Sequence, residues 1–163
     1  MAAEDDEYVV GVMVFREEGR WEATQLPERL MSDLDGLVAA LRQQPGEGGS
    51  IALVNVADEF FVAVRVRARD VSILVSDVTA AAAWDLAREV VTSLDIPIPD
   101  DDDMDDVLPG GDLSIFTDLG LEEMELGAIL ADTDSYADEM LLAIATRLGF
   151  AAPYQRALEG AIR

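Results

Sequence analysis

The chain has 163 residues, half of them hydrophobic, and carries 34 acidic residues against 11 basic ones, which gives a formal net charge of −23. Every basic residue is arginine, and histidine, cysteine and lysine are absent. This composition excludes an imidazole base, a thiolate and a lysine Schiff base, so we predict a non-enzymatic protein that needs no cofactor.

The acidic balance also narrows the classes of partner. Binding to nucleic acid through phosphates needs clustered cations, and anionic lipid headgroups repel an acidic surface, so direct nucleic-acid binding and membrane attachment are disfavoured. No apolar run approaches the ~20 residues of a membrane-spanning helix. Residues 4–7 are all acidic, unlike the start of a signal peptide. We expect a cytoplasmic protein whose partner is a protein with a basic surface.

Residues 1–98 have the pattern of an α+β sheet domain in the order ββαβββα. Helices with apolar residues at helical spacing are predicted from Pro27 to Leu41 and from Thr79 up to Pro97. The connections between the last three strands are so short that antiparallel hairpins are the practical solution. The prediction is a mainly antiparallel five-stranded sheet with helices packed on it, its strands at residues 8–15, 21–26, 51–56, 60–67 and 71–75.

The C-terminal part differs in composition and in pattern. Residues 99–112 are predicted to form an acidic linker, because like charges keep a chain extended. Residues 113–163 are predicted to form a helical hairpin, ended by Gly149, and a short final helix opened by Pro153. Each helix of the hairpin is predicted to carry one apolar stripe: Leu121, Met124, Ala128 and Ile129, and then Met140, Leu141, Ile144, Ala145 and Leu148. Whether this segment docks on the sheet is left open.

The aspartate run is the first candidate interaction site. An EF-hand is excluded, since Asp106 and Asp112 stand where its Gly and Glu are required, and we assign no metal site and no catalytic residue. The carboxylates are instead interpreted as a surface for a basic partner. The run consists of Asp100, Asp101, Asp102, Asp103, Asp105 and Asp106.

The second candidate is a basic strip at residues 60–69. Alternation along a strand places Arg65, Arg67 and Arg69 on one face. Three aligned guanidinium groups suit a phosphate, an RNA backbone or an acidic segment, including one from this chain. A solvent-facing strand side that is balanced by neighbouring acids is the other interpretation.

Several blocks of the sequence occur together in one known family. They are VFREEGRW at 14–21, LRQQPGEGG at 41–49, DEFFV at 58–62, LVSDVTAA at 74–81, the aspartate run, GDL at 111–113 and DEML at 138–141. In these blocks, which extend over nearly all of its length, the chain resembles the actinobacterial tRNA adenosine deaminase-associated proteins. The resemblance implies an association with a tRNA adenosine deaminase and carries no catalytic residue. The chain is not itself that zinc enzyme, because the zinc ligands would be His and Cys.

The leading hypothesis is therefore an acidic accessory protein that docks on a tRNA adenosine deaminase in the context of tRNA modification. The alternatives are a nucleic-acid or nucleotide binding module that uses the arginine-bearing strand, an enzyme built from Asp, Glu, Arg and Tyr, and a structural homodimer.

Overall fold

A computed structural model describes residues 9–44, 46–96, 108–132 and 134–161. Its strands are β1 (Val9–Glu17), β2 (Arg20–Gln25), β3 (Ser50–Val56), β4 (Phe60–Arg67), β5 (Asp70–Val75) and β6 (Gly110–Gly111). They form one antiparallel sheet in the order β2-β1-β3-β4-β5-β6. The predicted α+β class is confirmed.

The sheet has six strands within the described residues, where the sequence predicts five. The additional strand, β6, is a pair of glycines opposite Leu74 and Val75. Glycine has little intrinsic preference for a strand, so only the partner strand makes these two residues extended.

The described part of the chain has five α-helices: α1 (Leu34–Gln43), α2 (Asp85–Ser93), α3 (Glu123–Ala131), α4 (Ala137–Leu148) and α5 (Ala151–Ala161). The first two begin later than predicted. Short 3₁₀ turns at Glu28–Met31 and Val78–Ala82 precede them. The Asp33 carboxylate caps α1 by accepting a hydrogen bond from the Gly36 N–H at 2.6 Å. The cap explains why α1 begins beyond Pro27.

Apolar layers cover both faces of the sheet. On one face, Ala52, Val54 and Val56 of β3 pack with α1 and α2. On the other face, Ile51 and Leu53 of the same strand pack with α3, α4 and α5. Burial on both sides explains why β3 and β4 are almost continuously apolar.

The C-terminal helices therefore dock on the sheet. Phe150, between α4 and α5, is fully buried and packs at a tilt against Trp21 of β2, with ring centroids 5.1 Å apart. Gly149 ends α4 with a left-handed backbone at φ +95°, as predicted. The division into residues 1–98, a linker at 99–112 and residues 113–163 stays a prediction, and residues 97–107 lie outside the described ranges.

One predicted helix face is wrong. Met124 is 88% exposed and Ala128 is exposed, whereas Leu126 and Leu130 are buried against the sheet. The reason is that the apolar residues of α3 are spread around the helix, so its pattern cannot select an inward face. The predicted stripe of α4 is confirmed, because all five of its residues are buried.

Candidate functional site

Arg65 is the first of the three arginines in the predicted strip, and it lies on β4. Its guanidinium is buried and donates hydrogen bonds to both carboxylate oxygens of Asp118, at 2.6 and 3.0 Å. It also donates to the carbonyl oxygens of Ile115 and Gly48, at 2.8 and 2.9 Å. All four of these acceptors belong to the chain itself, so the Arg65 guanidinium is used for contacts within the fold.

The other two arginines of the strip have different surroundings. Arg67 is partly exposed, and its Nη1 lies 3.3 Å from Asp118 Oδ2. Arg69 lies in the turn between β4 and β5 and is exposed. The hydrogen bonds from Arg65 hold the pKa of Asp118 below its ordinary value, and the charge of Arg67 acts in the same direction. The structure therefore brings Arg65 and Arg67 together around Asp118, and Arg69 does not join them.

The aspartate run at residues 100–106 lies outside the described residues, so its placement stays a prediction. In the described ranges, no group of three or more acidic residues is arranged to hold a metal ion. No helix in those ranges is both long and apolar enough to cross a bilayer.

Several further arginines contact groups within the chain. Arg16 lies over the Trp21 ring at 4.4 Å, and Arg88 donates to the Ala81 carbonyl oxygen at 3.2 Å. Arg147 on α4 forms an ion pair with Glu125 on α3. These arginines are therefore engaged in contacts within the chain, whereas many carboxylates stay exposed.

Exposed carboxylates are frequent in the segment that runs from the start of α3 to the end of α4. Residues 121–148 contain seven acidic residues and one arginine, Arg147. Six of the seven are exposed, and the seventh is Glu125, the partner of Arg147. The exposed six are Glu122, Glu123, Asp132, Asp134, Asp138 and Glu139.

An open groove of about 790 Å³ runs between α3 and α4 on this side. Its floor is apolar, and its margins carry Glu125, Glu139 and Arg147. The floor consists of Ala128 and Ile129 from α3 and Leu142 and Ala143 from α4. We call these two helices' outward side, with its groove and carboxylates, the α3–α4 face. Sequence reasoning missed it because it placed Met124 and Ala128 in one stripe with Leu121, which is buried.

A second acidic arrangement joins the β3–β4 turn to the start of α4. Asp58 adopts a left-handed backbone at φ +60°, and its Oδ1 accepts hydrogen bonds from the Asp138 N–H at 2.9 Å and from Asn55 Nδ2 at 3.3 Å. Burial, together with the nearby Asp58 carboxylate, raises the pKa of Asp138. Burial also raises the pKa of Tyr154, and both carboxylates add to that shift. Sequence reasoning could not find this pair, because 80 residues separate its members.

Comparison with known proteins shows similarity over most of the chain. The curated protein Rv3753c of Mycobacterium tuberculosis (strain ATCC 25618 / H37Rv) is 43% identical over 143 residues, which cover 86% of this chain and 82% of that protein. No solved structure matches significantly. The family model described as Rv3753c-like tRNA adenosine deaminase-associated protein matches residues 9–151. The resemblance seen in the sequence is thereby confirmed, and the chain belongs to the family of Rv3753c-like tRNA adenosine deaminase-associated proteins.

Proposed function

We propose that this chain is a non-catalytic accessory protein that binds a tRNA adenosine deaminase by docking its acidic surface on a basic face of that enzyme. The family description supplies the class of partner. The observation that carries the docking mode is the α3–α4 segment, which has six exposed carboxylates and one arginine that is itself paired. Opposite charge speeds encounter and sets orientation between proteins.

The composition supports a non-catalytic role. Acyl, phosphoryl or deamination chemistry at neutral pH commonly uses His, Cys, Lys or a metal, and this chain lacks all three residue types. Burial and the Asp58 carboxylate raise the pKa of Asp138, yet the Asp58 carboxylate accepts its hydrogen bonds from amide groups of the chain itself. The pair therefore suits the capping of α4.

The proposal extends to the mode of action. The aspartate run at 100–106 and the C-terminal helices cover the cationic tRNA-binding face of the deaminase, so that the protein acts as a regulator or as an RNA mimic in the cytoplasm. A surface of closely spaced carboxylates imitates the charge of a phosphate backbone.

The decisive experiment is co-purification with the tRNA adenosine deaminase of the same organism, at low and at high salt, with and without tRNA. We expect a complex that salt weakens and that tRNA displaces. Absence of a complex at every salt concentration would overturn the accessory role. A complex that neither salt nor tRNA disturbs would leave the association intact and refute the mimic.

A set of neutral variants tests the aspartate run. Replacing all six of its aspartates by asparagine should weaken the complex markedly at low salt. A matched control neutralises six exposed acids elsewhere: Glu17, Glu18, Glu22, Glu28, Asp35 and Glu159. If both sets weaken the complex equally, binding depends on the net charge of the chain, and the aspartate run makes no specific contribution.

A further inference from the structure

The outward side of α3 is apolar although no part of the described chain covers it. Met124 is the most exposed large hydrophobic residue described, at 88%, and Ala128 one turn later is exposed as well. The inward side of the same helix already supplies the core through Leu126 and Leu130. Apolar residues on both the inward and the outward side of one helix are typical of a segment that is covered on both sides, so Met124 and Ala128 give the outward side the character of an interface.

The groove beside this helix has the dimensions of a helix-binding site. Its volume of about 790 Å³ is comparable to that of about two turns of a helix roughly 10 Å across. The floor residues Ile129 and Leu142 are half-buried, and Ala128 and Ala143 leave room between them. Small residues flanked by larger apolar ones accept the anchoring side chains of an amphipathic helix.

The charges around the α3–α4 groove distinguish between its possible occupants. Arg147 is the one cation of residues 121–148, and its contact with Glu125 satisfies it locally. A second copy of the chain, paired about a two-fold axis, would place the same carboxylates opposite themselves, which is repulsive. A cationic segment would instead meet Glu139 at the groove margin and the other exposed acids beyond it.

We propose that the α3–α4 groove is the docking site for a cationic amphipathic helix of the partner protein. The apolar side of that helix packs on the floor, and its Lys or Arg residues face the carboxylates at the margins. This inference rests on the proposed function for the identity of the partner. It does not depend on the aspartate run.

The test uses three single substitutions in the full chain. Ala128→Arg places a cation on the groove floor, Ala128→Glu places an anion of similar length at the same atom, and Ala152→Arg adds the same cation to an exposed position on α5. Helix content and thermal unfolding verify that each variant is folded. We expect Ala128→Arg to lower affinity for the deaminase about tenfold or more, Ala128→Glu to lower it clearly less, and Ala152→Arg to leave it nearly unchanged.

Two outcomes overturn the inference while the proposed function stands. One is an equal affinity of Ala128→Arg and Ala152→Arg for the deaminase. The other is a dimer of the wild type that Ala128→Arg dissociates in analytical ultracentrifugation, because a second copy would then occupy the groove.

If the wild type does not bind the deaminase, the proposed function fails. Binding of a peptide then tests separately whether the groove accepts a cationic helix. The probe is a helical peptide of Leu and Lys at amphipathic spacing, compared with a scrambled peptide of the same composition. Preferential binding of the amphipathic peptide that Ala128→Arg abolishes supports the groove as a cationic-helix site. Equal binding of both peptides overturns it.

Discussion

The carboxylate of Asp118 accepts two hydrogen bonds from the guanidinium of Arg65, at 2.6 and 3.0 Å, and so ties β4 to the segment that leads into α3. Arg65 is 2% exposed, while the side chain of Asp118 is 47% exposed. The Asp118 carboxylate is thus half-exposed, whereas the Arg65 guanidinium is almost completely buried.

Removing the carboxylate should destabilise the fold. We expect Asp118→Asn to lower the free energy of unfolding by about 3 kcal/mol, because it leaves a buried guanidinium without its counter-charge. Urea unfolding followed by circular dichroism measures the change. Glu22→Gln on exposed β2 removes the same charge and serves as the control. A loss no larger than that of the control would show that the two carbonyl oxygens alone satisfy Arg65.

The same pair predicts a dependence of stability on pH. The pKa of Asp118 in the folded chain is lower than its ordinary value of 3.8, so ionisation of this group stabilises the fold. This contribution is present above pH 3.8 and is lost as the pH falls through the folded pKa. The stability difference between wild type and Asp118→Asn should therefore shrink below pH 3.8. A difference that stays constant from neutral to acidic pH would contradict the electrostatic explanation.

Asp138 should behave in the opposite way. Its pKa in the folded chain is raised, so ionised Asp138 opposes folding at pH values above that pKa. The penalty declines as the pH falls through the folded pKa and is gone below 3.8. We expect Asp138→Asn to be at least as stable as the wild type at neutral pH, with the advantage disappearing in acid. Asp134→Asn, a nearby exposed acid outside the pair, is the control, and a neutral-pH loss specific to Asp138→Asn would refute the prediction.

Two glycines should respond oppositely to alanine. Gly49 has φ +91°, and a Cβ there would collide with the Val66 carbonyl oxygen. Gly49→Ala should therefore destabilise the chain by about 2 kcal/mol or more. Gly127 lies within α3 with open space around its Cα, so Gly127→Ala should stabilise by about 0.5–1 kcal/mol. Thermal unfolding distinguishes the two effects, and a tolerated Gly49→Ala would mean that the loop before β3 moves freely.

The arginine strip leads to a prediction about RNA. Because Arg65 is buried and Arg67 is close to Asp118, we expect the chain alone to retain no labelled tRNA at physiological salt. A filter-binding assay measures retention. The nucleic-acid alternative would be supported by retention that Arg67→Gln/Arg69→Gln abolishes and that Arg20→Gln/Arg29→Gln, at two exposed arginines elsewhere, preserves.

Sequence reasoning performed best where local pattern and chain connectivity determine structure. The β3–β4 and β4–β5 connections are so short that the antiparallel pairing follows from geometry alone. The stripe of α4 and its end at Gly149 follow from helical period and from glycine's access to positive φ. It performed worst on α3, where Leu126 and Leu130 face the core and Met124 faces outward. With apolar residues on all sides, only the position of the sheet selects the inward face.

The sequence by itself determined the acidic character, the α+β class and the membership of a tRNA adenosine deaminase-associated family, since composition, short-range periodicity and short blocks of sequence are properties of the linear chain. Only the tertiary structure decided that Arg65 is held by Asp118, 53 residues away, and that Asp58 meets Asp138. It also decided which side of α3 remains uncovered. These relationships join residues distant in sequence, and they arise because the second face of the sheet must be covered to remove its apolar side chains from water.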